Sequence, residues 1–241
     1  MLKSFFKYVP LIIGVTLLGK KDYEEWKKLG KGGVPYNVYG WLLVTYYRFY
    51  KRNPIKTDIY NDRLNTREDS VRLGEVEKRK GPRPKIGKHP VPHRQLDQLD
   101  SEPGTRALLD EVFNEYVQSH TQCVHYEKSF FEKRNDAITL INKNAGVTLA
   151  KETEGEIAHI HPSDGSMHMV FSPSDAKKVI EQGWGERHPL AGVKLNLPDT
   201  YLMIYTPRNK AEVLVVKQLL NAAVAHMSAG CTCCTNKEEI K

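Results

Sequence analysis

Cysteine is scarce, with four among 241 residues, and three of them, Cys231, Cys233 and Cys234, crowd into a polar carboxy-terminal tail. Only Cys123 lies in the body of the chain, so no disulfide framework is expected and a reducing compartment fits. The tail reads as an unstructured terminus, with reversible acylation as the other use of its thiols. Zinc-finger spacings and RNP-like aromatic runs are missing, so nucleic acid is not an expected partner. The net charge of +7 suits instead an acidic membrane surface or a basic solvated face. No apolar run reaches the ~20 residues of a comfortable membrane span, and no small-residue cleavage site marks a removable signal peptide.

What is present begins with Phe5 to Leu18, FFKYVPLIIGVTLL, apolar except for Lys7 and bounded by Lys3 and by Lys20–Lys21. Lys7 and the ends can snorkel, which makes this stretch a candidate N-terminal membrane anchor, spanning or interfacial. Lys20, Lys21, Lys27, Lys28 and Lys31 follow it, and the positive-inside rule then places the body in the cytosol. Tyr36 to Tyr50 is Tyr-rich and ends in Lys51–Arg52. It reads equally as a helix at the lipid interface or as one packed on the fold. From about Lys51 to Asp100 the chain is charged and punctuated by Pro82, Pro84, Pro90 and Pro92, the signature of an extended, wrapping or linking segment.

With 40% hydrophobic residues the remainder can bury a core. Leu108, Leu109, Val112, Phe113, Tyr116 and Val117 mark one face of a helix over 105–118. Strand-like runs follow at 124–131, 137–141, 157–161, 167–171 and 200–205. A short helix is expected over 174–182 with Gly183 as its stop. Asn209 and Glu212 form a capping-box-like start to a helix ending near Met227. Hairpins flanked by helices predict an α+β fold on an antiparallel sheet, preceded by the anchoring helix.

Side chains alternate along a strand, so His159 and His161 share a face. If Pro162 to Gly165 is a four-residue loop, His161 lies opposite Ser166 and His159 opposite His168. Three imidazoles and a serine then share one face, while Ala158, Ile160, Met167, Met169 and Phe171 occupy the apolar other. Such a cluster is not needed to stabilise a sheet, although neighbours or solvent can satisfy histidines. Three facial imidazoles can also bind zinc or iron. The cupin-like arrangement wants a carboxylate soon after the H-x-H pair, where Pro162-Ser163 stands, so no metal is expected.

Gly183 to Gly192 reads GWGERHPLAG. Its glycines permit tight turns and close approach of a ligand beside Trp184. Arg187 offers a cation for an enolate or carboxylate and His188 a group that moves protons near neutrality. A packed loop plugged by Trp184 is the plain alternative. Tyr205-Thr206-Pro207-Arg208-Asn209 joins a strand to a helix, so Tyr205, Arg208 and Asn209 are candidates to line the same cleft. Capping alone also accounts for Asn209.

These strings resemble the fungal luciferase family, whose pattern is E-I-A-H-x-H, x-L-H-L, G-W-G-x-R-H-P-L-A-G and Y-x-P-R-N. The matching residues are Glu156 to His161, Ser166 to Met169, Gly183 to Gly192 and Tyr205 to Asn209. Gly81-Pro82-Arg83-Pro84, the helix from Thr105 and the N-terminal apolar segment are similar too. The resemblance implies a luciferase-type monooxygenase acting on a 3-hydroxy-α-pyrone, 3-hydroxyhispidin. O2 is the co-substrate, CO2 and light are released, and no added cofactor is needed. It implies His159, His161, His168, Arg187 and His188 as the catalytic group. Glu156, Ser166, Trp184, Tyr205, Arg208 and Asn209 would then contact substrate.

The segment His161-Pro162-Ser163-Asp164-Gly165-Ser166 departs from the histidine-bearing, more polar segment of the light emitters. A dark relative acting on another enolisable pyrone or polyketide therefore stands beside a light-emitting enzyme. A non-luminescent, membrane-associated binding protein is the alternative from another class, and a zinc hydrolase is a distant third. The expected division is 1–35 anchor and basic flank, 36–100 amphipathic and linking segment, 101–230 luciferase-like domain, and 231–241 tail.

Overall fold

The computed structural model describes residues 2–64, 66, 69–99 and 101–231, with the side chains of 2–13 and 15 left out. Lys7, Cys233 and Cys234 and their expected roles lie outside the described side chains or residues. Among the described residues six helices and six strands follow one another. They are α1 (Leu2–Lys28), α2 (Val38–Tyr47), α3 (Thr105–Ser119), β1 (Val124–Lys128), β2 (Asp136–Leu140) and α4 (Thr148–Glu152), then β3 (Glu156–Ile160), β4 (Met167–Val170), α5 (Pro173–Glu181), β5 (Gly185–Arg187), β6 (Tyr201–Ile204) and α6 (Lys210–Met227). Short 3-10 turns occupy Arg48–Tyr50 and Asp58–Arg63.

The strands form one sheet in the order β1-β2-β3-β4-β6-β5, with every neighbouring pair antiparallel. The expected α+β class is therefore correct. The hairpin register also follows from side-chain alternation. His159 pairs with His168, Ala158 with Met169 and Ile160 with Met167. The His161 N–H donates to the Ser166 carbonyl at 2.8 Å, which closes the four-residue loop. Gly165 sits in that loop at φ +73°, a conformation that glycine adopts without Cβ strain. Met167, Met169 and Ala158 are buried on the opposite face, and α6 crosses β3 and β4 there.

Local capping sets the helix limits. Ser172 caps α5 by accepting from the Asp175 N–H at 3.2 Å, so the helix starts one residue earlier than expected, and Pro173 takes the first position. Asn209 caps α6 by accepting from the Glu212 N–H at 3.0 Å. The reciprocal half of the capping box is absent, because Glu212 accepts instead from the Arg208 N–H and the Arg79 and Arg208 guanidinium groups.

Two elements escape periodicity, the five-residue α4 and the three-residue β5. In β5 a Cβ on Gly185 would meet the Met203 carbonyl oxygen at 2.4 Å. This glycine thus admits the neighbouring strand rather than a ligand. Cys123, buried just before β1, is disulfide-bonded, which the cysteine spacing does not foreshadow.

The Pro-punctuated segment is a strap over the sheet. His89, Val91, His93, Arg94 and Gln95 are all buried, and the Trp26 indole of α1 donates to the Val91 carbonyl at 2.9 Å. The N-terminal apolar run lies in α1, yet among the described residues no helix is long and apolar enough to cross a membrane.

Candidate functional site

The histidine face of β3 and β4 is covered by the strap and by the loop joining β1 to β2. His159, His161 and His168 are all buried, and one ring nitrogen of each lies within 4.8 Å of those of the others. Two histidines join them. His93 comes from the strap, 5.6 Å ring to ring from His168 and 4.9 Å from His188. His188 follows β5 and lies 5.6 Å from His168. Tyr201 stacks on His168 at 4.4 Å.

A β-bulge organises the inner end. β2 pairs Ile138 with Ala158 but Thr139 with Glu156, so Ile157 is the extra residue. Bulges re-aim side chains, and this one brings Glu156 to the same side as His159. The Glu156 carboxylate then takes the His159 Nδ1 proton donor at 2.7 Å. It also accepts from Ser129 Oγ at 3.1 Å and from the Phe130 and Phe131 N–H groups at 2.6 and 3.3 Å. Glu156 therefore orients a histidine and folds the β1–β2 loop, while the pattern suggested contact with substrate.

That loop delivers Glu132. Its carboxylate accepts from Arg94 Nη1 at 3.1 Å and from Asn135 at 3.1 Å. It lies 3.5 Å from His161 Nε2 and 4.0 Å from His159 Nε2. Both Nε2 atoms are buried without a hydrogen-bond partner. Burial opposes charge on Glu132, but His161, His159 and Arg94 outweigh it and hold the carboxyl far below its usual range. Burial likewise pushes His159 down, yet Glu156 and Glu132 prevail and raise its pKa.

The Nδ1 sides of His161, His168 and His188 are committed as well. His161 Nδ1 meets Ser166 Oγ at 2.8 Å, and Ser166 Oγ donates to Asp164 Oδ1 at 3.0 Å. With the hydroxyl proton used on Asp164, the imidazole donates from Nδ1. His168 Nδ1 faces the Leu202 carbonyl, 3.1 Å away, so it also donates. Burial, then the neighbouring histidines, lowers the His168 pKa well below 6.5. His188 is likewise depressed, by burial and then by His93, and its Nδ1 accepts from the Leu190 N–H at 3.1 Å.

Beside this cluster is a cleft of about 190 Å³, lined by His93, Phe131, Glu132, His168, His188 and Tyr201 among others. Four hollows of about 600, 630, 370 and 430 Å³ are larger, the first two around Arg63, Leu149 and Glu152, but none is lined by the histidine cluster. Convergent polar groups, rather than size, mark the smaller one as the site. At its edge Glu186 accepts from the Tyr205 hydroxyl at 3.0 Å and lies 3.1 Å from His93 Nε2. His93 thus donates from Nε2, and its buried Nδ1 has no partner.

The fold does not bring every predicted residue here. Side chains alternate along β5, so Glu186 and His188 face His93 while Arg187 points the other way. Its guanidinium donates to the Lys56 and Asn53 carbonyls at 2.9 and 2.7 Å, a structural clamp in place of the expected catalytic cation. Trp184 donates from Nε1 to the Glu77 carbonyl at 2.8 Å, as a plug under the strap. Arg208 binds the Lys80 carbonyl and Glu212, and Asn209 is a helix cap. Tyr205 reaches the cluster only through Glu186. Sequence patterning missed His93, Glu132, Asp164, Glu186 and Tyr201. The Pro90-Val91-Pro92-His93 string, a histidine held by stiff neighbours, was the one available signal for His93.

A six-stranded antiparallel sheet with a strapped, buried five-histidine cluster defines an α+β protein with a small histidine-lined cleft. The luciferase domain model matches residues 154–223, which span β3 through most of α6. Luciferases from Neonothopanus nambi, Armillaria ostoyae and Armillaria mellea are each 31% identical over 219 residues, covering 87% of this chain and 81% of theirs. The chain belongs to this luciferase family. No solved structure matches it.

Proposed function

We propose that the protein is a luciferase-type oxygenase acting on a 3-hydroxy-α-pyrone such as 3-hydroxyhispidin, with O2 as co-substrate, loss of CO2 and no organic cofactor. The observation that carries this reading is the convergence of His93, His168, His188 and Tyr201 on one cleft in a chain whose relatives are named luciferases. His93 is the base best prepared: Glu186 holds its Nε2–H, as a carboxylate orients a catalytic imidazole, and Nδ1 is left to accept the enol proton. The electron-rich enolate then meets O2 directly. The cleft is smaller than the ~300–1000 Å³ of common ligand pockets. It suits the reacting ring, with the rest of a longer substrate extending toward the opening.

Membrane association belongs to the same proposal. α2 is apolar all round, yet only its Gly40 and Val44 side is buried. Val38, Tyr39, Leu42 and Tyr46 form an exposed stripe continued by Phe49, which is 85% exposed. An exposed apolar stripe of this kind suits a lipid interface beside the N-terminal apolar segment, with Lys20, Lys21, Lys27, Lys28 and Lys31 at the cytosolic side.

The test mixes detergent-solubilised full-length protein with 3-hydroxyhispidin and follows O2 uptake, CO2 release and photons together. O2 consumption that falls ~10²–10⁴-fold in His93→Gln is expected. Dark consumption would keep the oxygenase and remove light emission, whereas no consumption by the unmodified protein would overturn the proposal.

A further inference from the structure

We propose that His159, His161 and His168, with Glu132 as the fourth donor, bind a divalent first-row transition-metal ion at the inner end of the cleft. The inference rests on donor chemistry and on orphaned atoms. Each imidazole has Nδ1 bound to a different fixed acceptor: the Glu156 carboxylate, the Ser166 hydroxyl and the Leu202 carbonyl. This is the outer-shell pattern that sets the tautomer of metal-ligating histidines. It leaves Nε2 as the unprotonated nitrogen of each neutral ring. For His159 and His161 that atom is buried and unpartnered, which in a folded interior calls for an explanation.

Distances agree with this assignment. Three atoms no more than 4.8 Å apart lie within about 2.8 Å of a common point, against ~2.0–2.1 Å for a zinc–imidazole bond. Ring shifts of under ~1 Å close the difference. Glu132 Oε1 and Oε2 stand 3.5 and 4.0 Å from the His161 and His159 Nε2 atoms, on the side where a fourth ligand is needed. Arg94 and Asn135 fix its orientation. The sequence argued against a metal because no carboxylate follows the H-x-H pair. The β1–β2 loop supplies one from elsewhere. Three imidazoles and one carboxylate suit zinc, iron, nickel or copper better than magnesium or calcium.

His168 and Glu132 also line the cleft, so an ion held by them would lie beside a bound substrate. If the pyrone assignment above holds, the ring's hydroxyl and adjacent carbonyl oxygens would supply two further donors to an ion held there. The metal site itself does not depend on that assignment.

Its test uses the full-length protein, stripped with a chelator and titrated with Co2+ in the absence of any substrate, following visible ligand-field absorption. Metal content of the unstripped protein is measured alongside by mass spectrometry. One equivalent of Co2+ with the absorption of a four- or five-coordinate site is expected, abolished in His161→Ala. Ser166→Ala, which removes only the hydroxyl that holds His161, should weaken Co2+ binding ~10–100-fold. It decides the matter if His161→Ala fails to fold. No stoichiometric absorption, or unchanged binding in Ser166→Ala and His161→Ala, would mean a protonated imidazole–carboxylate cluster only and overturn the site. Because no substrate is present, that failure is separate from failure of the oxygenase reading.

Discussion

Arg187 lies in a motif that reads as catalytic, but the fold makes it a clamp, and Arg187→Met separates the two roles. The guanidinium donates to the Asn53 and Lys56 carbonyls at 2.9 Å or less and is only 1% exposed. Hydrogen bonds from charged donors contribute ~1.5–3 kcal/mol each, so the two together contribute roughly 3–6 kcal/mol. Methionine restores apolar packing near Tyr60, and Asn53 and Lys56 are themselves exposed, so water can reclaim part of the loss. A net cost of about 2–4 kcal/mol is expected, a large fraction of the ~5–15 kcal/mol that stabilises an ordinary domain. In urea, with a slope of ~1–3 kcal/mol per molar, the midpoint should fall by about 1 M or more. Well below that midpoint, O2 uptake should stay within a few-fold of the unmodified protein. An unchanged midpoint with uptake reduced ~100-fold would refute the clamp and restore Arg187 to the chemistry.

Two further outcomes follow from the packing. Burial, then Arg72, lowers His226 to about 4, where an exposed histidine titrates near 6.5. The unfolded chain therefore binds the extra proton between these values, and this contribution to stability is present above pH 6.5 and lost as pH falls toward 4. The group accounts for up to ~3 kcal/mol. His226→Leu should flatten the acid limb of stability measured by urea midpoints from pH 7 to 4, and an equally steep limb would show that another group governs it. On α2, Leu42→Glu with Tyr46→Glu should reduce flotation of the full-length protein with anionic vesicles several-fold without shifting its thermal midpoint. Undiminished flotation would remove α2 from the membrane contact.

Much of this architecture is written in local pattern. The alternation of His159, His161 and His168 with apolar neighbours sets both the hairpin register and the face that meets α6. Caps at Ser172 and Asn209 need only a few residues to be recognised. The strings around Glu156, Trp184 and Tyr205 carry the family likeness at the same local scale. Even so, shared strings do not assign roles. Asn209 is a cap and Glu156 an orienting carboxylate.

Period and propensity speak only for neighbours within a turn or a strand, which limits what the sequence by itself determined: the α+β class, the paired histidines and the family. The tertiary structure decided what surrounds them. His93 and Glu186 meet across 93 positions and Arg94 and Glu132 across 38, through a strap whose proline-broken pattern has no period to read. The bulge at Ile157 turns Glu156 toward His159, and strand alternation in β5 turns Arg187 away. Such contacts arise because buried polar groups must find partners once water is excluded, and which partners are in reach is a property of the folded chain.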